Sequence, residues 1–535
     1  MSKSQPYTVA CAGGLVTASN AIDLLKTPGV ATELRNFEVS TKGGYRRING
    51  FTKFGGGSAV QPTGGSTTIL GTIPYADGVV VCAGTSIYFS QTGTSWLEIN
   101  RASVASSGDN HTAFTGRSVL TRTNQGQCQF ALFESATSNY GTLIISDGVN
   151  KPYAFRMEGT GSLTSRTFFG EEITVTGTKG VEYITVHDKH LIAAGVEDNL
   201  NTVFFSGTLD PTDFTSTGSG SIALEDQIKG IKSFRNELFI FCENSIFKLQ
   251  NINNSSTIAV IPVTKNVGCL SGHSIQEIAG DLIFLAPDGL RTVAGTARIG
   301  DVELGTVSSN IQNIVSDLAE SVNIFTINSV VLREKSQYRL FYTNVGADDS
   351  TQRGIIGTLR PNGFEWSETR GLEVTAIGSG FDSSGIEQYY HGDTNGNVYL
   401  HDSGADFNGT NILARYTTPN YDYGDLGTLK TLHYLRVSMA TEGIVEPDVQ
   451  IKFDFNSSDV PQPTDLFDLG IVNPPSLFGE AVFNTNKFAG QNNPMIRVPL
   501  QGSGTSNNFT VISNDTKPSY TVNGLYVDFI PSGRR

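Results

Sequence analysis

Charge is scarce in this chain. Only 16% of its 535 residues are Asp, Glu, Lys or Arg, while aromatics reach 10%; ordinary globular proteins carry about 25% charged residues. Disordered chains show the opposite balance, so a folded protein is expected. The basic sign is the scarcer one, with 37 Lys and Arg against 51 Asp and Glu and a formal net charge of −14. A protein that grips nucleic acid through its phosphates needs a basic footprint. The adjacent basic pairs that stand out are Arg46-Arg47 and Arg534-Arg535, too little for such a grip. Cysteine is rare and odd in number: Cys11, Cys82, Cys128, Cys242 and Cys269, with no C-x-x-C. That argues against a disulfide framework and suits folding in a reducing cytoplasm. Cys82 and Cys242 lie in apolar runs, where a thiol packs as a small hydrophobe. No apolar run approaches the roughly 20 residues of a membrane span. The opening MSKSQPYTVACAGG lacks the apolar core of a signal peptide. No stable membrane insertion is expected.

The motifs of common chemistries are missing too. There is no G-x-S-x-G elbow, no G-x-x-x-x-G-K phosphate loop and no H-E-x-x-H. His187 and His190 with Asp188 come nearest to a metal cluster, but two histidines do not fill a zinc shell. Asp393, Asn395 and Asn397 open like a calcium loop yet lack the following Gly and the distant Glu, so a hairpin turn is the better reading. No catalytic, cofactor or metal site is expected, and the chain is read as a non-enzyme.

What the sequence does have is glycine, 59 residues of it, and short β-branched or aromatic runs between tight turns, the composition of an all-β protein. The most informative feature is a recurring pair of strands. ADGVVVCAGTSIYFS from Ala76 and RNELFIFCENSIFKL from Arg235 align without a gap, and GDLIFLAPDGLRTV from Gly280 has the same layout. Looser copies begin at Gly141, Lys189, Tyr338 and Glu387. Asp-Gly, Asn-Gly and Pro-Asp-Gly between such runs signal hairpins, which recur every 45–60 residues or so, near the repeat of a propeller blade. A hairpin alone is unstable, whereas radially arranged blades bury one another's faces. The expected fold is a β-propeller of about seven blades (six to eight) with a C-terminal β-sandwich-like domain.

A chain this long exceeds the roughly 250–300 residues at which one core stops growing. The blade pattern ends near Asp406. The division expected is residues 1–56 packing on or completing the other domains, 57–411 as the propeller, and 412–535 as a C-terminal β domain with strands near Thr431, Val449 and Leu525. The segment 457–476, rich in Pro and Asp, reads as a long exposed loop. One stretch, 309–322, spaces Ile311, Ile314, Val315, Leu318 and Val322 as on a helix behind candidate Ser caps, and is expected to be a packing helix.

Several phrases resemble one family. GVATELRNFEVSTKGGYRRINGF (29–51), VFFSGTLDPTDF (203–214), SDGVNKPY (146–153), LRTVAGTARIGDVELGTVSSNIQ (290–312), YTTPNYDYGDLGTLKTLHYLRV (416–437), PLQGSG (499–504) and the ending GLYVDFIPSGRR are similar, in that family's order, to phage tail nozzle proteins, also called tail tubular protein B. The chain is shorter than the best-known members. The resemblance implies a structural virion subunit, a nozzle or a neck or tail-tube ring, assembled in the host cytoplasm. It implies a homohexamer that docks portal-proximal adaptor rings and tail fibres, with double-stranded DNA passing through without specific binding. Tyr45, Arg46, Arg47, Arg534 and Arg535 are the candidate subunit contacts, because both clusters are charged and flanked by strands. The alternative function is a host-recognition or carbohydrate-binding propeller of a tail fibre or adhesin, which would gather aromatics in the turns of one face.

Overall fold

The structure is a computed structural model that describes residues 4–99, 127–134, 140–163, 166–177, 180–254, 256–294, 306–321, 326–343, 353–382, 384–470 and 495–534. Its propeller is a ring of antiparallel meanders. The first blade runs Ile69–Tyr75, Gly78–Ala83, Ser86–Ser90 and Leu97–Glu98. The second is Gln129–Phe133, Thr142–Ser146, Tyr153–Glu158 and Thr167–Glu172; the third is Val181–His187, His190–Val196, Thr202–Phe205 and Gly220–Ala223. The fourth comprises Ile228–Phe234, Glu237–Cys242, Ile246–Gln250 and Ala259–Thr264. A three-stranded sheet follows, Gln276–Ile278, Asp281–Ala286 and Gly289–Thr292. The fifth blade is Asn328–Leu332, Gln337–Tyr342, Arg353–Arg360 and Gly363–Arg370. The sixth is Ala376–Phe381, Glu387–Gly392 and Val398–His401, completed on its outer edge by Phe51–Lys53 from the N-terminal region. Six four-stranded blades with a three-stranded sheet between the fourth and fifth thus meet the expectation of about seven.

The repeated hairpins are the middle strand pairs of these sheets, and burial explains their sequence. A blade is covered on both faces, so its second strand reads as a continuous apolar run instead of alternating. All seven residues of His190–Val196 are buried, as are the last five of Glu237–Cys242 and of Asp281–Ala286. Val79 and Leu238, which align in the gapless match, are both fully buried. Apolar clusters fill the clefts between neighbouring blades, such as Val80, Ile87, Phe89, Leu143 and Phe155 between the first and second.

The ring closes between the sixth blade and the first. Thr375 Oγ1 donates to the Ile69 carbonyl at 2.7 Å, and Ile69 N–H donates to the Asp393 carbonyl at 3.1 Å. Backbones approach so closely here that a Cβ on Gly378 would lie 1.9 Å from the Thr72 carbonyl oxygen, so the position demands glycine.

The C-terminal region forms two sheets around one large core, the arrangement of a β-sandwich. One contains Thr428–Thr441, Met495–Pro499, Ser503–Gly504 and Tyr520–Arg534; the other contains Ile412–Thr417, Asn507–Asp515, Asp448–Phe453 and Phe467–Asp468. Leu435, Val437 and Val527 from the first face Val449, Phe509 and Val511 from the second in a single cluster. Simple alternation along Thr428–Thr441 fails at one point: Leu432 is buried, and so are Leu435, Val437 and Met439. A bulge between Leu432 and Tyr434 inserts the extra residue that changes which parity faces inward.

The N-terminal region belongs to both halves. Gln5–Ala10 pairs with Tyr520–Arg534, and the hairpin Phe37–Val39/Tyr45–Arg47 pairs with the same long strand. Glu33–Arg35 lies between the outer strand of the fifth blade and Ile412–Thr417, joining blade and sandwich in one nine-stranded sheet. The helix Gln312–Ser321 follows a 3-10 turn, Ser309–Ile311, and buries Ile311, Val315 and Leu318 in the sandwich core cluster. Its expected Ser cap is absent: the Ser308 hydroxyl instead accepts from Leu290 N–H at 3.0 Å.

Candidate functional site: the joint between propeller and sandwich

The Phe37–Val39/Tyr45–Arg47 hairpin carries the three N-terminal candidate residues into the junction of the two halves. They form a strand and lie within a single chain's interior. Tyr45 is fully buried; its hydroxyl donates to the Gly29 carbonyl at 2.8 Å and accepts from Gly14 N–H at 3.1 Å. Burial pushes its pKa well up, so it stays a neutral phenol. Arg47 is also fully buried. Its guanidinium donates to the Asp515 carbonyl at 2.6 Å and to the Lys517 carbonyl, and it lies 3.1 Å from the Asp515 carboxylate. Burial lowers the Arg47 pKa from the usual arginine value, with Asp515 opposing.

Arg46 is the bridge. Its guanidinium forks onto both Glu442 carboxylate oxygens at 2.6 and 2.7 Å, and also donates to Glu38 Oε1 at 2.8 Å and Asn49 Oδ1 at 2.8 Å. Burial works against this cation, but the Glu442 and Glu38 carboxylates outweigh it and raise its pKa. Arg534 enters as a strand residue, opposite Thr428. Arg535 lies outside the described residues.

Glu38, 2% exposed, is the centre of the joint. Besides Arg46 it binds Lys335 at 3.0 Å and Arg339 at 2.9 Å, both from the fifth blade. Those two cations also bind Asp402 of the sixth blade's end, at 2.7 and 3.0 Å. Burial would raise the Asp402 pKa, but Arg339 and Lys335 override it and hold the carboxyl well below the usual range. Three cations and three carboxylates therefore neutralise one another where the two blades, the hairpin and Glu442 of the sandwich region meet. Buried charges persist only when paired and hydrogen-bonded in this way.

The network ends in two histidines. Arg339 donates to His401 Nε2 at 3.1 Å, and His401 Nδ1 lies 3.3 Å from His391 Nδ1. Because a guanidinium only donates, His401 Nε2 must carry the lone pair and Nδ1 the proton, so His391 accepts at Nδ1. Both rings must be neutral. Burial pushes the His391 pKa down to about 3, and burial with His391 and Arg339 pushes His401 well down. The arrangement neutralises and locks; among the described residues no group of three or more His, Cys, Asp or Glu is placed to hold a metal ion.

The other residues singled out from the sequence are held structurally. His187 Nδ1 meets Ser233 Oγ at 2.9 Å. His190, fully buried, places Nδ1 2.6 Å from the Ser206 carbonyl and Nε2 2.7 Å from Asn253 Oδ1. Asp188 and Lys189 form the positive-φ turn between them. Asp393 accepts from Asn397 N–H at 2.7 Å and Nδ2 at 2.8 Å, closing the hairpin turn. All five cysteines are buried. Glu38, Lys335, Arg339, Asp402, His391 and His401 escaped sequence reasoning; a weak signal was HGDTNGNVYLHD, whose two histidines and Asp402 flank one hairpin.

No family model matches this chain, and no curated protein matches it. Solved structures with similar folds include PorZ, a bacterial surface component of the type-IX secretion system of Porphyromonas gingivalis, at 9% identity, covering 80% of this chain and 59% of that one, with a TM-score of 0.35. The N-terminal domain of Nup159 matches at 12% identity over 51% of this chain and 88% of that one, TM-score 0.30. The Neurospora crassa Pan2 WD40 domain matches at 11% identity over 75% and 95%, TM-score 0.28.

Proposed function

We propose that this chain is a non-catalytic structural subunit of a phage tail, a nozzle or a neck or tail-tube ring component, that builds part of the DNA ejection conduit and docks neighbouring tail proteins. The observation that carries the reading is the shared N-terminal region. Residues 5–53 supply strands to the sandwich, to the sheet joining it to the fifth blade, and to the edge of the sixth blade. A body stitched in this way transmits load without a hinge between its halves. The ordered phrases similar to tail nozzle proteins support the same reading. So does the net charge of −14: an acidic wall releases no counterions on meeting a phosphate backbone, so DNA slides past without adhering.

In this account the chain works as a homohexamer in the virion tail, with portal-proximal ring proteins and tail fibres as partners. Native mass spectrometry of the purified full chain is the test. Closed rings with the mass of six copies are expected, and a chain that stays monomeric at the highest attainable concentration overturns the proposal.

The host-recognition reading is less well supported. Phe239, Phe241, Phe284 and Tyr342 are buried in blade strands, where they pack cores instead of offering a sugar platform.

A further inference from the structure

Strand alternation gives the sandwich two outer faces. In its first sheet Leu435, Val437 and Val498 lie in the core, so Tyr434, Arg436 and Arg497, which alternate with them, point outward. In its second sheet Val449 lies in the core and Phe467 packs against it, so Asp448 and Asp468 point outward on the opposite side. Register then sets like charges face to face. Arg436 is directly opposite Arg497 on the first face, and Asp448 is directly opposite Asp468 on the second. Like charges directly opposite across strands are destabilising. One sandwich therefore carries two such pairs, of opposite sign, on its two outer sides.

The basic face is open and pre-arranged. Arg497 holds its guanidinium 3.6 Å from the centre of the Tyr434 ring, and Arg436 holds its own 4.9 Å from that of Tyr526. Stacking on the rings fixes each planar cation in place. Arg436 reaches Asp528 only at 3.8 Å and keeps its side chain 37% exposed. Arg497 is exposed, with no carboxylate at ion-pair distance among the described residues. Small residues, Ser438 and Gly524, occupy the next register positions and keep the surface low. On the acidic face Asp448 is half-buried and Asp468 exposed, and neither has an ion pair among the described residues. Asp468 accepts from Gly470 N–H at 2.6 Å. Burial, with the Asp468 charge added, raises the Asp448 pKa, as expected of a carboxylate that lacks a cation.

We infer that these two faces are the contact between copies of this chain: the Arg436 and Arg497 platform of one copy seats on the Asp448 and Asp468 pair of the next. The inference rests on the ring reading above and names its surface. The occupant is a second copy because what each face lacks stands on the other side of the same sandwich. Unlike patches on opposite sides make a heterologous contact, the kind that repeats head to tail and closes into rings. Two guanidiniums meeting two carboxylates form charge-assisted pairs, and Tyr and Arg are the residue types that dominate interface energies. A chain with a net charge of −14 repels its own copies over most of its surface, so an opposite-sign contact also fixes how they meet. The faces take the place of Tyr45, Arg46 and Arg47, which the joint ties within one chain.

Charge reversal followed by mixing, read by native mass spectrometry of the full chain, is the test. One variant carries Arg436→Glu and Arg497→Glu, the other Asp448→Lys and Asp468→Lys. Each alone should weaken assembly by about tenfold or more, leaving monomers where the wild type forms rings. Mixed in equal amounts, the two should assemble again into rings that alternate them, because each supplies the sign the other has lost. Thermal melting checks that both variants fold. Should a reversal unfold the chain, the neutral Arg497→Gln carries the test, with weakened assembly expected and unchanged assembly overturning the contact. Reversed variants that keep wild-type assembly overturn the contact and leave the ring reading standing. Folded variants that fail alone and stay apart on mixing do the same. A wild-type chain that stays monomeric overturns both.

Discussion

The propeller and the sandwich are built from the same kind of strand but assembled by opposite rules. In the first four blades, neighbours in the sheet are neighbours in sequence: Glu237–Cys242 pairs with Ile228–Phe234 before it and Ile246–Gln250 after it. In the sandwich, Gln5–Ala10 pairs with Tyr520–Arg534, and the Phe37–Val39/Tyr45–Arg47 hairpin joins the same distant strand. Local pairing costs little loop-closure entropy, whereas pairing the chain's two ends is repaid only when the whole body is formed. The lesson is that the sandwich cannot be complete without residues N-terminal to the propeller. The sixth blade, in turn, takes its edge Phe51–Lys53 from the same region.

The sharpest way to break this contrast is to remove residues 1–54. Four strands of the C-terminal sheets, the bridging strand among them, and the edge of the sixth blade leave together. The expected result is loss of cooperative folding of the whole chain, seen as no unfolding transition by circular dichroism. A deletion variant that keeps a native-like propeller melt would show that the two regions are separable.

Next in size is Glu38→Ala. It strands Arg46, Lys335 and Arg339 with one fewer carboxylate in a buried site, and breaking a buried ion pair from one side costs about 3–5 kcal/mol. Urea unfolding at pH 7 measures it. A loss under about 1 kcal/mol would mean the joint does not hold the halves together.

Acid should loosen the same joint. With its pKa depressed to about 3, His391 stays neutral in the folded protein, while the unfolded chain takes up a proton below about pH 6.5. Unfolded molecules then bind more protons, so stability falls as pH drops from 6.5 toward 3. At pH 5 this amounts to about 2 kcal/mol. Asp402, held below the usual carboxylate range, adds stability above about pH 4 that is lost as pH falls further. Melting temperatures from pH 7.5 to 5 should decline, with a shallower decline for His391→Asn; parallel curves would sink the assignment.

The smallest effect is expected far from the joint. Lys265 pairs with Glu225 at 3.4 Å, but both side chains are exposed, and such pairs contribute about 0–1 kcal/mol. Lys265→Ala should change the urea midpoint little, and a cost rivalling Glu38→Ala would blur the distinction between joint and surface.

The same contrast explains what could be read before any coordinates. The blade hairpins were legible because each is complete within about 15 residues and because burial on both faces writes an unbroken apolar run such as Leu238–Cys242 or Leu282–Ala286. The helix at 312–321 was legible from the spacing of Ile311, Val315 and Leu318. The joint was not. Glu38 stands 297 residues before Lys335, and Asp402 lies 63 residues beyond Arg339; only the three-dimensional meeting of hairpin and blades makes them a cluster. Tyr45, Arg46 and Arg47 were picked out as charged and strand-flanked, which they are, but nothing local distinguishes a residue tied to its own chain from one offered to a neighbour. The bulge at Leu432 was hidden for a similar reason, since its partner strand lies about 100 residues away.

Differential scanning calorimetry of the intact chain at pH 7.5 tests the central claim most directly, that propeller and sandwich are one body joined through the N-terminal strands and the Glu38 cluster. One cooperative transition, with calorimetric and van't Hoff enthalpies in agreement, is predicted for wild type, with separation into two for Glu38→Ala. Two independent transitions in the wild-type protein would contradict the account.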